Sequence, residues 1–466
     1  MTTYLLNLDI GYSKQYYIPI TIVEISGHWL ENYVVKIELN SSNFDGWYYL
    51  VRGANICFLD MQGNPLYYWI EKLDLVEQRI LIWVKIPSIP PKGAISIYMY
   101  LSKNISCTKY NDPDKVFLFF ENFYSNPNHN GKWEIYRHMY DLSSEAVWDP
   151  DTHRFYLTKA VEDRGVAVFF KNITTPAQGF RVIFWAGSRK GAEEGGDGIA
   201  FTFFKDLQPY RRYGNVATGG TLGLSGYNYA ERRIAPSQGY AVELDNHDNS
   251  KMFYDPSSNH IAIIYMNSND KVPWHHLVYY NTNATEDGET HKYEVLFYDR
   301  EITVYLDGKE IIKYTFGSLN TTYTGIGFTS ATGSQANDHW LEKYVILTPY
   351  IKPEPLVVLG TYNELLNRIN KLEKDINEIM ENITVLNNSL NRAIRLQVKM
   401  NDTIRDLYEK QQKHETTLND LYTEINELNE RISNLELMFM SIIVGILVIL
   451  VLTIILLVKI TRIKRT

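Results

Sequence analysis

The hydrophobic pattern of the chain changes its period near residue 360, and this change limits the folds that the chain can adopt. Up to about residue 350, short apolar runs such as 33–39 and 79–86 are separated by turn signals, and the run 94–101 alternates between apolar and polar residues, patterns typical of β-strands. From Leu365 to Leu435, apolar residues recur in steps of four and three through about ten heptads, the pattern of a left-handed coiled coil. We therefore predict a mainly β protein whose β-domains are followed by a long α-helical coiled coil.

The coiled coil is predicted to form a stalk over residues 363–436. At 1.5 Å per residue this stalk would be roughly 100 Å long. Ile dominates the a positions and Leu the d positions, which favours a dimer. In contrast, Ile379 at a d position and the polar layers at Gln397 and Gln411 are compatible with a trimer, and His414 falls on the same stripe. We expect the chain to associate with itself, as a homotrimer or a homodimer.

A second apolar segment follows the stalk without a break. Residues 437–458 contain only apolar residues, Gly, Ser and Thr, and a run of this length matches the hydrocarbon thickness of a bilayer. The tail at 459–466 contains basic residues and no acidic one, a bias that orients a tail towards the cytoplasm or a virion interior. We therefore predict a transmembrane helix at 437–458. The lipid bilayer would be a partner of this single-pass protein, whose N-terminal domains would lie outside a virion envelope or an archaeal cell.

Composition supports folded β-domains and excludes one class of partner. The chain contains 35 Tyr residues, and aromatic residues are enriched in β-strands. The net charge of −8 indicates no large basic surface, so we expect no nucleic-acid binding. The first residues lack a basic start and a long apolar run, so we expect no signal peptide there.

Turn signals divide the β-rich part into two predicted sandwich (jelly-roll) domains, at 1–116 and 117–352, followed by a linker at 353–362. The apolar and aromatic run within 56–71 resembles an uncharacterised β-domain family of archaeal and bacterial surface proteins, which implies no assigned chemistry. The N-terminal domain contains both cysteines of the chain, Cys57 and Cys107. These cysteines either form one disulfide bond or remain two buried thiols.

A short polar stretch in the second domain combines the side chains that metal ions prefer. On the predicted strand at 241–245, Glu243 and Asp245 share one face, roughly 6–7 Å apart, and would repel each other unless a positive charge lay nearby. Carboxylate and amide oxygens suit calcium, whereas an imidazole suits a transition ion such as manganese or zinc. A solvated turn rich in Asp and Asn is the alternative interpretation. The following loop supplies Asp248, Asn249, Asp255 and His260.

Four stretches together resemble the legume-type (L-type, concanavalin-like) lectins. Residues 243–260 are similar to the metal loop of that family, and 195–201 to its Asp-Gly-(Leu/Ile)-Ala-Phe strand start. Residues 219–224 resemble its Gly-Gly-x-Leu-Gly-Leu loop, and 327–333 the strand that ends in its specificity loop. The four stretches follow the family's order over some 140 residues. The resemblance implies a concanavalin-like sandwich that binds a sugar with the help of metal ions and cleaves no bond.

The resemblance also implies roles for individual residues, in two metal sites beside a sugar pocket. The implied ligands of manganese or another transition ion are Glu243, Asp245, Asp255 and His260. The implied calcium ligands are Asp245, Asn249, Asp255 and the main-chain carbonyl of His247. The implied sugar pocket consists of Asp197, Gly220, His247 and Asn249, with Gly333, Ser334 and Gln335 tuning specificity. The family usually has Phe or Tyr in place of His247, and this chain carries one extra residue between Asn249 and Asp255.

Two other functions are compatible with part of the pattern. Glucanases of the laminarinase type share the sandwich and carry Glu-x-Asp-x-x-Glu on one strand, and residues 243–248 come close, with Asp248 at the acid/base position. That motif leaves Asn249, Asp255 and His260 unexplained, so we expect no enzyme. The third function is a structural surface-layer anchor or stalk that keeps the lectin fold without binding sugar.

These features predict a membrane-anchored oligomeric spike whose lectin head binds glycans on a cell surface, for host attachment by an archaeal virus. Clustering of heads increases avidity without new contacts. Asn-x-Ser/Thr sequons, the acceptors of N-linked glycans, are compatible with a glycoprotein. They lie at Asn40, Asn104, Asn172, Asn283, Asn320, Asn382, Asn387 and Asn401.

Overall fold

The fold was examined in a computed structural model. It describes residues 16–103, 107–191, 194–267, 274–317, 322–359, 362–410 and 415–463. In the two C-terminal helices, side-chain burial is described for 371–372, 374–400 and 422–446. The prediction of a mainly β chain with sandwich-like sheets is confirmed.

Two sheets form the first sandwich, and their strand order is β24-β1-β6-β3 and β2-β5-β4. Alternating apolar residues of both sheets, including Ile20, Ile37, Ile82 and Met99, are fully buried in its core. The strand β24 lies within the predicted linker and pairs antiparallel with β1. The elements are β1 Tyr16–Val23, β2 Leu30–Asn40, α1 Trp47–Val51, β3 Asn55–Leu59, β4 Tyr68–Asp74, β5 Arg79–Ile89, β6 Ala94–Ser102, α2 Pro113–Val116 and β24 Leu356–Leu359.

The second sandwich is larger and has the same layered construction. An eight-stranded sheet has the order β21-β20-β19-β12-β23-β10-β9, with β7 also paired to β23, and a seven-stranded sheet has the order β18-β17-β16-β13-β22-β11-β8. Its strands are β7 Phe119–Glu121, β8 Trp133–Arg137, β9 Glu145–Asp149, β10 Arg154–Thr158, β11 Gly165–Phe170, β12 Gly179–Lys190, β13 Gly198–Phe204, β14 Ser225–Asn228, β15 Arg233–Pro236, β16 Gly239–Asp245, β17 His260–Met266, β18 Trp274–Asn281, β19 Thr290–Tyr298, β20 Glu301–Leu306, β21 Lys309–Thr315, β22 Gly325–Ala331 and β23 Asn337–Pro349. Two short helices, α3 Gln208–Tyr213 and α4 Ser250–Phe253, lie in its loops.

Aromatic rings fill the space between these two sheets. Phe184 of the eight-stranded sheet contacts Phe201 and Phe328 of the seven-stranded sheet, with ring centroids 5.8 and 4.9 Å apart. All three rings are fully buried. Inward-facing residues alternate with outward-facing ones along each strand. The opposite face of the seven-stranded sheet carries a second buried apolar cluster, which includes Phe169, Ala241 and Ile264, and the polar residues Glu243 and Asp245 at its end.

The two sandwiches contact each other through a mixed apolar and polar interface. Trp83 of β5 packs with Phe117 and Phe120 of the second sandwich. Its indole Nε1 donates to Glu71 Oε2 at 2.7 Å, and Lys292 Nζ lies 3.0 Å from Glu71 Oε1. A largely buried ion pair of this kind stabilises the contact only because each charge has its partner.

The predicted continuous coiled-coil stalk at 363–436 is wrong. The structure has two separate helices, α5 Tyr362–Lys410 and α6 Glu415–Ile463, which contact each other. Gln397 Nε2 donates to Asn429 Oδ1 at 3.4 Å. In the sequence, Gln397 precedes the segment 411–414 by about as many residues as Asn429 follows it. The helices therefore pack as a hairpin within one chain, and the apolar stripe of α5 does not need a second chain. The predicted layers at Gln411 and His414 lie outside the described residues.

The predicted transmembrane helix at 437–458 is also wrong, and so is the localisation as a single-pass protein with a C-terminal anchor. Among the described residues, no helix combines the length and the apolarity that crossing a bilayer requires. The side chains of residues 447–466, which include much of the predicted span and the basic tail, lie outside the described residues.

The two cysteines form a disulfide bond, Cys57–Cys107, which connects β3 to the segment before α2. Both residues are buried in the core of the first sandwich. The bond joins positions that are 50 residues apart, so it restricts the unfolded chain considerably.

We predict that the Cys57→Ser variant, or reduction of the wild-type bond, lowers the free energy of unfolding of the first sandwich by about 2–4 kcal/mol, because the unfolded chain regains loop entropy. Urea denaturation of the full chain with and without dithiothreitol measures this effect. The Cys57→Ser variant is the control for other effects of dithiothreitol, because the reagent should leave the urea midpoint of this variant unchanged. An equal midpoint for the oxidised and reduced wild-type chain would contradict the prediction.

Candidate functional site

The candidate site lies at one end of the seven-stranded sheet, where β13, β16, β17 and β18 are neighbours. Antiparallel pairing places Asp245, at the end of β16, opposite Gly198 on one side and His260 on the other. Alternation along β16 puts Glu243 and Asp245 on the same face. The segment 246–259, which contains α4, connects this strand to β17.

Three side chains from three strands converge on this face. His260 Nε2 lies 3.0 Å from Glu243 Oε1, and His276 Nε2 lies 2.7 Å from the same oxygen. The ligand atoms of these three residues all lie within 4.8 Å of one another. His276 Nε2 is also 3.7 Å from Asp255 Oδ1. This is a possible metal site, and imidazole and carboxylate ligands suit a transition ion.

The hydrogen bonds of His260 support this interpretation. Its Nδ1 lies 2.9 Å from the Ser257 carbonyl oxygen, and because a carbonyl can only accept, Nδ1 carries a proton. A neutral His260 therefore turns an unprotonated Nε2 towards Glu243 Oε1, so that two acceptors face each other. A cation between them removes this conflict. Histidines that bind metal ions usually donate their other ring N–H to a carbonyl or carboxylate in this way.

Burial makes the acidic side chains of the cluster dependent on a positive charge. Burial raises the pKa of Asp245 well above its usual range, and the neighbouring Glu243 and Asp255 carboxylates raise it further. Burial and Glu243 raise the pKa of Asp255 to about 6. Burial opposes ionisation of Glu243 as well, but the neighbouring imidazoles of His260 and His276 outweigh it and lower its pKa to about 2. The residues present therefore fit a metal ion, which would keep all three carboxylates ionised at neutral pH.

The loop after β16 is held by the same carboxylates. Asp245 Oδ1 accepts a hydrogen bond from the His247 amide at 2.7 Å, and Asp255 Oδ2 accepts one from the Asn249 amide at 2.6 Å. The carboxylate, amide and carbonyl oxygens of this loop are of the type that calcium prefers. The implied calcium ligands are thus close enough in sequence and in space to act together, and their roles remain a prediction.

His247 and Asn249 also line a pocket of about 520 Å³, a volume within the usual range for small-molecule sites. The seven residues that the lectin resemblance implies for sugar contact all line this pocket. They are Asp197, Gly220, His247, Asn249, Gly333, Ser334 and Gln335.

Asp197 is the buried acceptor of the pocket. It is 4 % exposed and follows a cis peptide bond between Gly196 and Asp197. Asn249 Nδ2 donates to Asp197 Oδ1 at 3.1 Å, whereas Asp197 Oδ2 has no hydrogen-bond partner of good geometry among the described residues. Burial raises the pKa of Asp197 to about 6, although the Asn249 hydrogen bond opposes this shift. A buried oxygen without a donor is a natural acceptor for a hydroxyl group of a ligand.

Gly220 allows the backbone to approach the side chains of Asn249 and Phe253 closely. A Cβ atom at this position would lie 2.5 Å from Asn249 Cγ and 2.8 Å from Phe253 Cδ2, distances too short for any side chain. On the opposite side of the Asn249 loop, His247 Nδ1 lies 3.2 Å from the Gly195 carbonyl. His247 Nδ1–H can therefore donate to that carbonyl, which orients the ring against the pocket.

Two features of the site were missed by the sequence analysis. His276 belongs to a strand whose pairing with β17 no local motif reveals, so its approach to Glu243 could not be foreseen. The pocket also has an apolar part, in which Phe253 and Trp274 contact each other with ring centroids 4.9 Å apart. The apolar residues that line it are Ile234, Met252, Phe253 and Trp274.

Most of the predicted sequons that the structure describes are accessible. Asn40, Asn172, Asn283, Asn382 and Asn387 are exposed. Asn104 and Asn320, and the side chain of Asn401, lie outside the described residues.

Comparison with known families identifies two segments of the chain. Residues 161–346 match the legume lectin domain. This segment contains every metal and sugar position that the sequence analysis proposed, as well as His276. Residues 52–136 match a family described only as a domain of unknown function (DUF2341). No curated protein matches the chain.

Several solved structures are similar to the lectin-like part. The Emp47p carbohydrate recognition domain is 12 % identical, with 50 % of this chain and 96 % of that chain covered and a TM-score of 0.36. The Lotus tetragonolobus seed lectin is 17 % identical, with 53 % and 98 % covered and a TM-score of 0.36. The VIP36 exoplasmic/lumenal domain in its Ca²⁺/Man3GlcNAc-bound form is 14 % identical, with 51 % and 99 % covered and a TM-score of 0.37. These similarities are too low to assign a ligand.

We predict that Asp245→Asn stabilises the chelated protein at pH 7, because it removes a buried charge, and abolishes stabilisation by added Ca²⁺ and Mn²⁺. For the wild type, metal at a hundredfold excess over its Kd should add about 2.7 kcal/mol. Since the pKa values of Asp245 and Asp255 are raised by folding, the chelated fold should lose stability as the pH rises from about 4 to 6. The stabilisation by metal should grow over the same range, as protons leave the ligands.

Thermal unfolding with EDTA or with metal, at several pH values, measures both effects. Asp248→Asn is the matched control, because Asp248 lies in the same loop but is exposed and outside the cluster. Equal metal stabilisation of wild type and Asp245→Asn would show that the cluster does not hold the ion.

Proposed function

We propose that this protein is a metal-dependent carbohydrate-binding protein whose pocket holds one sugar residue of a glycan. The proposal rests above all on Asp197, a buried carboxylate with one oxygen bound to Asn249 and the other without a well-placed donor in the part of the chain that the structure describes. Hydroxyl groups of a sugar would donate to this oxygen. Charge-assisted hydrogen bonds of this type are stronger than neutral ones. The match of residues 161–346 to the legume lectin domain supports the same ligand class.

The other walls of the pocket suit a sugar as well. Gly220 lines the pocket, and its main-chain amide would donate to a sugar oxygen. The ring of His247 would cover an apolar face of the sugar. Gly333, Ser334 and Gln335 line the rim and would distinguish one sugar from another.

The metal ions would act at a distance from the sugar. Calcium would bind to oxygens of Asp245, Asn249, Asp255 and the His247 carbonyl, and manganese or another transition ion to the cluster around Glu243 and His260. Their chemistry is the neutralisation of buried negative charge. The protein residues then hold the sugar: Asp255 fixes the Asn249 amide, and Asn249 fixes the carboxylate of Asp197.

Binding without cleavage fits the positions of the carboxylates better than hydrolysis. A retaining glycosidase needs two carboxyl groups about 5–5.5 Å apart on either side of the scissile bond. Glu243 is buried and directed at two imidazoles, and Asp248 is exposed. Neither Glu243 nor Asp248 is among the described residues that line the pocket.

The biological role that we infer is recognition of glycans on a cell surface, as in host attachment by an archaeal virus. The disulfide bond supports an oxidising environment, and the exposed sequons are compatible with a glycoprotein. Self-association into a homotrimer or homodimer would increase the avidity of weak single sites. Light scattering of the purified chain would measure this association directly.

We predict that Asp197→Asn weakens glycan binding roughly 10- to 100-fold, because a charged acceptor is replaced by a neutral amide. Gly220→Ala should abolish binding, since the added methyl group overlaps Asn249. A glycan array with the full chain, with and without EDTA, first identifies the sugar, and calorimetry then compares the variants.

Gly317→Ala is the matched control for the glycine variant, because a Cβ at Gly317 meets no atom of the described residues within 4 Å. Binding that survives both EDTA and Asp197→Asn would refute the proposed pocket. A chain that binds metal but no glycan under any condition would instead be a structural surface-layer protein.

A further inference from the structure

We propose that His276 is a direct ligand of the transition ion, and that this second imidazole increases the preference of the site for zinc, cobalt or nickel over manganese. The inference rests on the metal dependence in the proposed function. It goes further because the legume-type lectin pattern accounts for one imidazole in the cluster, at His260, and assigns no role to His276.

The distances between the ligand atoms support a shared ion. Zinc binds imidazole nitrogens and carboxylate oxygens at about 2.0–2.2 Å, so two ligands of one ion lie about 3–3.5 Å apart. His276 Nε2 lies 2.7 Å from Glu243 Oε1 and 3.7 Å from Asp255 Oδ1, and His260 Nε2 lies 3.0 Å from Glu243 Oε1. The separations scatter around the values that a common ion requires.

The orientation of His276 supports a ligand role more strongly than a simple ion pair. Its Nε2 is buried and, although it is close to Glu243 Oε1, it forms no hydrogen bond of acceptable angle among the described residues. A ring that merely paired with the carboxylate would point its N–H at the oxygen. Ligands of one ion point instead at a common centre that lies between them.

The strand that carries His276 holds it in place. Backbone pairing of β18 with β17 sets His276 opposite Ile264, on the face where His260 lies. The side chain of His276 is 12 % exposed, so few other rotamers are open to it. The adjacent His275 is exposed and points to the other face.

Two imidazoles change which ion the site favours. Manganese prefers oxygen ligands, whereas imidazole suits zinc, nickel and copper, which also bind more tightly to most mixed nitrogen and oxygen sites. A cluster with Glu243, Asp255, His260 and His276 is therefore richer in nitrogen than the pattern with a single imidazole. The expected order of affinity is zinc, cobalt and nickel above manganese.

X-ray absorption at the zinc edge of the full chain, chelated and then loaded with one equivalent of Zn²⁺ beside saturating Ca²⁺, tests the inference. We expect scattering from two imidazoles in the wild type and from one in His276→Ser. Calorimetry should show that His276→Ser weakens Zn²⁺ at least about tenfold and changes Mn²⁺ affinity much less. His275→Ser is the matched control and should behave like the wild type.

A single imidazole on zinc in the wild type would overturn the inference, and so would a wild-type preference for Mn²⁺ over Zn²⁺. The absorption experiment needs no variant, so a His276→Ser chain that fails to fold does not affect it. The result is also separate from sugar binding. Two imidazoles on zinc in a chain that binds no glycan would refute the proposed function alone, and glycan binding with one imidazole would refute the role of His276 alone.

Discussion

Burial of like charges at the end of one sheet is the constraint on which the rest of the site depends. Glu243, Asp245 and Asp255 are only 3 %, 1 % and 8 % exposed, and an unpaired buried charge costs several kcal/mol. Backbone pairing fixes β16, which carries Glu243 and Asp245, and the hydrogen bond from the Asn249 amide holds Asp255 in the following loop, so the carboxylates cannot easily separate to relieve repulsion. A cation relieves it. Because Asp255 also holds the Asn249 amide, and Asn249 holds Asp197, neutralising this cluster shapes the sugar pocket too.

A series of buried hydrogen bonds connects the loop after β16 to the eight-stranded sheet. His339 of β23 donates from Nε2 to Asn246 Oδ1 at 3.0 Å and accepts at Nδ1 from Thr158 at 2.7 Å. Burial lowers the pKa of His339 to about 3, so it is neutral and keeps one donor and one acceptor. The main-chain N–H of Asn246 donates to the main-chain carbonyl of Asp197 at 2.7 Å. The eight-stranded sheet thus supports the pocket from behind without adding a charge to it.

The parts of the site that the sequence predicted are those encoded in local motifs. Asp245 ends β16, and Asn249 and Asp255 lie in the loop that follows it, so their common location follows from their spacing along the chain. Asp197 and Gly220 come from other motifs, and the resemblance to a family, not spacing, brought them together. His276 could not be found in either way. Its position depends on the pairing of β17 with β18 and on the bulge between Ile263 and Ile264, which no residue pattern specifies.

The helical part shows the same limit for a different reason. A heptad pattern predicts which face of a helix is apolar, because that depends on the sequence of the helix alone. In α5 the half-buried side chains do follow this stripe, as at Ile376, Ile379, Ile383 and Leu386. The pattern does not specify what covers the face. A partner chain and a second helix of the same chain present equivalent surfaces to it, and the intramolecular contact requires no loss of translational freedom. Here α6 covers α5, and the same periodicity yields a hairpin.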